Sequence, residues 1–222
     1  MPSGPLALVG GGEFGEGCTF DAALLEAAGT GEVVVLPTGA AYEHPERLVA
    51  RAGEWFDGLG ASVRGIDVLR RPDALDPALA EAVRSARFVY LVGESPMHLR
   101  SVLKETPVWD AMVGAWHDGA VLAGSAAGAM VMCDPMVDPR GGAFTVGLGL
   151  LANVGVIPEF DTWSADAVDR TRKLCPPDVV LVGVPRATAL LREPDGTWRS
   201  EGVGEVSVFV GGAPADLSSL PR

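Results

Sequence analysis

Short apolar runs alternate along this chain with stretches whose apolar positions recur at helical spacing, so the pattern predicts strands and helices in turn. Pro5 to Val9 predicts a buried strand ending at Gly10, Gly11 and Gly12, and Phe20 to Ala28 predicts the helix after it. Glu32 to Pro37 predicts the next strand, Pro45 to Leu59 an amphipathic helix, Ser62 to Leu69 a strand and Pro77 to Ala86 a helix. Phe88 to Gly93 reads as a strand buried on both faces. Helical stretches Pro96 to Lys104 and Val108 to His117 then lead to the strand Ala120 to Gly124. Strands without polar alternation need cover on both sides, which implies a parallel sheet between helix layers.

Beyond residue 140 the spacing shortens. Phe144 to Leu148, Ala152 to Ile157, Val179 to Val184, Thr188 to Leu191 and Val206 to Val210 predict short strands, interrupted by one helix over Ala165 to Leu174. Arg192 to Trp198 has the composition of a hairpin turn, so the closing strands are expected to add antiparallel at a sheet edge. The fold class expected is α/β: a doubly wound three-layer sandwich with a mostly parallel sheet and antiparallel strands at its C-terminal edge. In such a fold the ligand lies at the carboxyl ends of the parallel strands. No repeat or linker divides the chain, and 222 residues suit one domain over 1–222 better than two.

Charge narrows the partners. Lys and Arg number 17 against 29 Asp and Glu, a net charge of -12, and that field repels phosphate backbones and anionic membrane surfaces. Neither nucleic acid nor membrane is therefore an expected partner. No run approaches the roughly 20 apolar residues of a membrane span, and the first residues lack a basic-then-apolar leader. Cys18, Cys133 and Cys175 fit neither a disulfide framework nor a zinc site. The expectation is a cytoplasmic protein with no metal and no cofactor, acting on a small-molecule or peptide-like substrate, with a homodimer as one form of assembly. Gly10 to Gly12 make no nucleotide cradle, because the G-x-G-x-x-G spacing fails around Gly15.

The segment Ala120 to Met132 has the form of a strand, a sharp turn of small residues and a helix, which is the form of a nucleophile elbow. Gly124 and Gly128 frame Ala126 at the apex, and Ser125 stands one residue early. A tight structural turn without chemistry has the same spacing.

Four motifs in order carry a resemblance: GGGEF at Gly10 to Phe14, VYLVGESPMHL at Val89 to Leu99, AGSAAGAM at Ala123 to Met130, and GLGLL followed by VIPEFD within Gly147 to Asp161. On these the chain resembles the cyanophycinase and aspartyl dipeptidase (peptidase E) family of serine peptidases, whose fold is similar to class I glutamine amidotransferases. The resemblance implies a serine nucleophile at 126, a histidine base at 159 and an oxyanion hole from the N–H groups of Gly93 and Ala127. Here Ala126 and Glu159 stand at the first two positions, and Glu94 replaces the second glycine of the family's Gly-Gly. Without an apex hydroxyl no acyl-enzyme forms there, and a carboxylate at 159 does not switch near pH 7 as an imidazole does. Glu94 beside the oxyanion hole opposes the negative charge that acyl transfer develops. An engineered serine-to-alanine change would explain Ala126 alone, whereas natural loss of the peptidase mechanism accounts for all three.

Glu13, Glu94 and Glu159 are expected to converge on one cleft, with Glu13 at its rim beside Gly12 and with Asp134 and Asp138 nearby. Packed carboxylates raise one another's pKa, which poises one as acid and another as base. The same pocket suits a cationic or amine-bearing ligand, or a divalent cation through oxygen ligands. Arg140 either pairs with Asp138 or takes a substrate carboxylate. Cys133 reads as a buried thiol before a replacement nucleophile. Phe14, Phe160, Trp163 and Trp109 read as core before cleft mouth, and His44, His98 and His117 as helix or loop surface. The leading expectation is non-hydrolytic acid–base chemistry through the acidic cleft. Its rivals are a non-catalytic binding protein and a dipeptidase-like hydrolase using Ser125.

Overall fold

The computed structural model describes residues 3–222. Five strands form the parallel part of a seven-stranded sheet: β1 (Leu6–Val9), β2 (Glu32–Gly39), β3 (Ser62–Gly65), β4 (Phe88–Gly93) and β5 (Val121–Ser125). Their order in space is β1-β5-β4-β2-β3, and Thr188–Arg192 and Trp198–Gly202 extend the sheet antiparallel beyond β1. This is the α/β architecture the sequence pattern predicts, including the hairpin that pairs Arg192 with Trp198.

Period-two alternation assigns each strand residue to a layer. Ala7, Val9, Val33, Val35, Phe88, Tyr90, Val121 and Ala123 face a cluster with helices α1 (Phe20–Ala28) and α2 (Pro45–Gly58). Leu6, Leu8, Val34, Leu36, Val89, Leu91 and Leu122 face the opposite layer. There they meet α3 (Arg71–Ala74), α4 (Pro77–Arg84), α5 (Pro96–Leu103), α6 (Pro107–His117) and α7 (Ala127–Met132). Proline supplies the first residue of α2, α4, α5 and α6, where its fixed φ favours the helix and its missing N–H costs nothing. Asp76 and Thr106 cap two of these helices through hydrogen bonds from Ala78 N and Trp109 N.

Two expectations need correction. The strand predicted over Ser62 to Leu69 ends at Gly65, because a tight turn that joins Val68 N to the Ile66 carbonyl takes the chain out of the ladder. The closing strands also do not all join the main sheet. Val154–Pro158, Val180–Val184, Ser207–Val210 and Ala213–Ala215 form a separate four-stranded sheet, whose first pair is parallel because helix α8 (Ala165–Leu174) connects them. Phe144–Thr145 pairs with Met136–Val137, and Leu151–Ala152 with Cys133–Asp134. Periodicity identifies such short runs as strands and is blind to which sheet they enter. Among the described residues no helix is long and apolar enough to cross a membrane.

Candidate active site

The alternation of β5 decides where its last residues point. Ala123 faces the layer of α1 and α2, so Ser125 does also, and its hydroxyl donates to Glu13 Oε2 at 2.7 Å from a fully buried position. Ala126 then turns the chain with φ 49° and ψ -112°, a strained conformation for a residue with a Cβ, and α7 begins at Ala127. The Ala126 N–H is held by the Val9 carbonyl at 3.0 Å. Gly124 and Gly128 are dictated by contact: a Cβ on Gly124 would lie 2.7 Å from the Gly128 carbonyl group, and one on Gly128 would lie 2.2 Å from the Leu91 carbonyl oxygen. Strand, tight turn and helix follow one another here, with a methyl group at the apex.

Gly93 closes β4 with φ 121°, packed so tightly on Gly39 that a Cβ would come within 2.2 Å of its carbonyl carbon. Glu94 follows, exposed on the carboxyl side of the sheet. Its carboxyl is pushed up to about 7, first by burial of its surroundings and then by the negative charges of Glu13, Glu159 and Glu43, with Arg51 pulling the other way. Glu159 comes from the second sheet, in the left-handed conformation after Pro158. Its N–H donates to the Gly10 carbonyl at 2.6 Å, and its Cγ lies 3.1 Å from where a Cβ on Gly11 would sit. The glycines after β1 thus admit Glu159, and the charges of Glu13 and Glu159 both act on Glu94.

Glu13 is not the rim residue expected. It is 5% exposed, bound through Oε2 to Ser125 and through Oε1 to Arg51 Nη2 at 2.8 Å, and these two partners draw its carboxylate inward. Behind it lies a polar layer the sequence analysis missed. Asp21 on α1 is fully buried and accepts a hydrogen bond from Trp55 Nε1 at 2.9 Å. Burial, with a smaller contribution from Glu13, pushes its carboxyl up to about 7 against the Trp55 bond. Among the described residues its second oxygen finds no partner, nor do the buried hydroxyls of Thr38 and Tyr90. An acidic residue on the apolar face of a predicted helix was the signal available for Asp21. Arg51 was also missed, and its signal was a second arginine, Arg47, one turn away on the same helix.

Other candidates fall outside this group. Arg140 binds Asp138 through Nε and Nη2, at 3.0 and 2.7 Å, in an exposed turn, which is the ion pair named as one of its two alternatives. Asp134 accepts from Gly147 N at 3.2 Å within the loop after α7. Gly12, with φ 66°, lies against the Cβ of Arg186 and the N–H of Ala187. Phe14 and Trp109 are core residues on opposite faces of the sheet, and Phe160 and Trp163 pack on the second core. His44 precedes α2 beside Glu46, His98 bonds the Leu69 carbonyl, and His117 meets Ser3. Among the described residues no group of His, Cys, Asp and Glu side chains is arranged to hold a metal ion.

Cys133 is fully buried, its thiol directed at the Ala129 carbonyl and pushed well up by burial. Ellman's reagent is expected to leave it unmodified in the native protein at pH 8 and to react with it once guanidinium unfolds the chain. Rapid native modification at Cys133 would contradict this placement.

With the geometry described, the likeness to known proteins can be stated. The sequence profile of peptidase family S51 matches residues 6–143, from β1 through the elbow. Cyanophycinase of Synechococcus elongatus is 26% identical over 204 residues, which cover 86% of this chain and 62% of that protein. Cyanophycinase of Nostoc sp. (strain PCC 7120 / SAG 25.82 / UTEX 2576) is 26% identical over 192 residues, 82% of this chain and 64% of its own. The chain therefore spans less than two thirds of the length of these relatives. The crystal structure of a peptidase from an acI-B1 Actinobacterium superposes with a TM-score of 0.86 at 30% identity, covering 96% of this chain and 93% of that one. A profile match over more than half of the chain, reinforced by that superposition, assigns the protein: it belongs to peptidase family S51.

Proposed function

We propose that this chain keeps the family's active-site backbone without its acyl-transfer chemistry, and that Glu94 and Glu159 transfer protons on a cationic or amine-bearing small molecule or peptide-like ligand. The observation that carries the reading is the turn after β5, which has Ala126 at its apex and the exposed Glu94 one strand away, and burial with the surrounding carboxylates supports it by pushing the Glu94 carboxyl up to about 7. A group titrating near neutral pH exchanges a proton at the least cost in either direction. Three acidic neighbours favour a positive ligand, and Arg51 offsets only part of their charge. Against the hydrolase alternative stands Ser125, whose hydroxyl is buried and committed to Glu13.

The reading predicts a pH profile for a simple cation. n-Pentylamine stays charged across neutral pH, so its affinity, followed by NMR titration, is expected to rise as Glu94 ionises between about pH 6 and pH 8. Glu94→Gln should abolish that rise and weaken binding at pH 8 by about tenfold. An affinity independent of pH, or a Glu94→Gln variant that binds as tightly as the parent, would overturn the reading.

A further inference from the structure

At the start of α2 lies a hollow of about 260 Å³ lined by Glu43, His44, Arg47, Leu48 and Arg51. Arg47 and Arg51 stand one turn apart on α2, so they present guanidinium groups from one helix face. Arg51 commits Nη2 to Glu13 and is half exposed, which leaves most of its N–H donors free. Among the described residues Arg47 makes no ion pair, although Glu43 lines the same hollow and Glu46 is its chain neighbour. Glu46 is engaged instead with His44 at 3.2 Å. Two guanidinium groups with donors to spare thus line one hollow of a strongly acidic protein, and the planar fork of arginine suits a carboxylate.

We infer that this hollow is the anion-accepting half of the ligand site, with Arg47 as the residue that selects a ligand carboxylate and Arg51 joining the two halves through Glu13. The inference rests on the proposed cation site and names the ligand class that site takes: a zwitterion, its ammonium group toward Glu94 and Glu159 and its carboxylate on Arg47 and Arg51. This is the role the sequence suggested for Arg140, moved to a helix whose arginines are adjacent to the carboxylates. The Ser95 N–H donates to the Gly39 carbonyl at 3.1 Å and the Glu43 N–H to the Ala40 carbonyl at 2.8 Å, so the segment that carries Glu94 packs on the turn that leads into the hollow.

The test compares β-alanine, γ-aminobutyrate and ε-aminocaproate with ethylamine, n-propylamine and n-pentylamine, the amines left when each carboxylate is removed. At pH 8 one ω-amino acid is expected to bind about tenfold more tightly than its amine, because a charge-assisted bidentate pair is gained, and the chain length of that member reads the spacing of the two halves. Arg47→Gln should reduce this ratio to about one, and Arg47→Lys should retain part of it, whereas Arg140→Gln on the exposed turn should leave it intact. If the amines bind and no ω-amino acid exceeds them, or if the ratio survives Arg47→Gln, the inference is overturned and the cation site stands. If no amine binds but an ω-amino acid binds with dependence on Arg47, the anion site stands and the cation reading falls. If no probe binds, both are overturned.

Discussion

Asp21→Asn is expected to stabilise the fold at pH 9 by up to ~4 kcal/mol while changing little at pH 4. The magnitude follows from a fully buried carboxyl raised from 3.8 to about 7. A raised pKa means that the folded state holds this proton more tightly than the unfolded state. Its favourable contribution is complete below pH 3.8, declines as pH rises toward 7, and is gone above it. Asparagine keeps an oxygen for Trp55 Nε1 and places an uncharged amide where an unpartnered oxygen now sits. Urea denaturation of both proteins from pH 4 to pH 9 should give stabilities that nearly coincide at the acid end, separate as pH rises toward 7, and keep a constant offset above it. Parallel curves would mean that Asp21 is not held protonated by burial.

Gly128→Ala is expected to cost more than ~3 kcal/mol, a loss large enough to leave little folded protein at physiological temperature. The added methyl would meet the Leu91 carbonyl oxygen at 2.2 Å, and that atom belongs to the backbone of the central strand β4. No rotamer relieves such a contact, so α7 must shift off the sheet and carry Ala126 with it. Thermal unfolding measures the effect, and a melting temperature within a few degrees of the parent would show that the elbow packs less closely than described.

These two positions mark how far the sequence could be read. The glycines framing the elbow follow a spacing rule that rests on steric contact, so Gly124 and Gly128 were legible, as were the parallel strands whose uniform apolarity demands cover on both faces. Glu94 was placed at a strand end by the apolar pattern and Glu159 only by the family resemblance, and the glycine loop accounts for the Glu159 N–H reaching the Gly10 carbonyl. What escaped was the layer behind the site. Asp21 is held by Trp55 and Glu13 by Ser125 and Arg51, and pairing between segments distant along the chain leaves no periodic trace. Arg140 was legible only as a choice between two partners, because proximity along the chain to the elbow does not decide proximity in the fold, and Asp138 is the partner it takes. The second sheet escaped for a related reason: runs such as Val180–Val184 and Thr188–Arg192 are alike in composition and part company at a turn of three residues.

The central claim is that an S51 backbone here serves chemistry other than serine hydrolysis, and the most direct measurement is release of free aspartate from Asp-Xaa dipeptides by the purified protein and its Ser125→Ala variant. The account predicts no release above the blank from either protein, because Ala126 offers no hydroxyl and Ser125 is buried against Glu13. Sustained turnover by the parent that disappears in Ser125→Ala would contradict it.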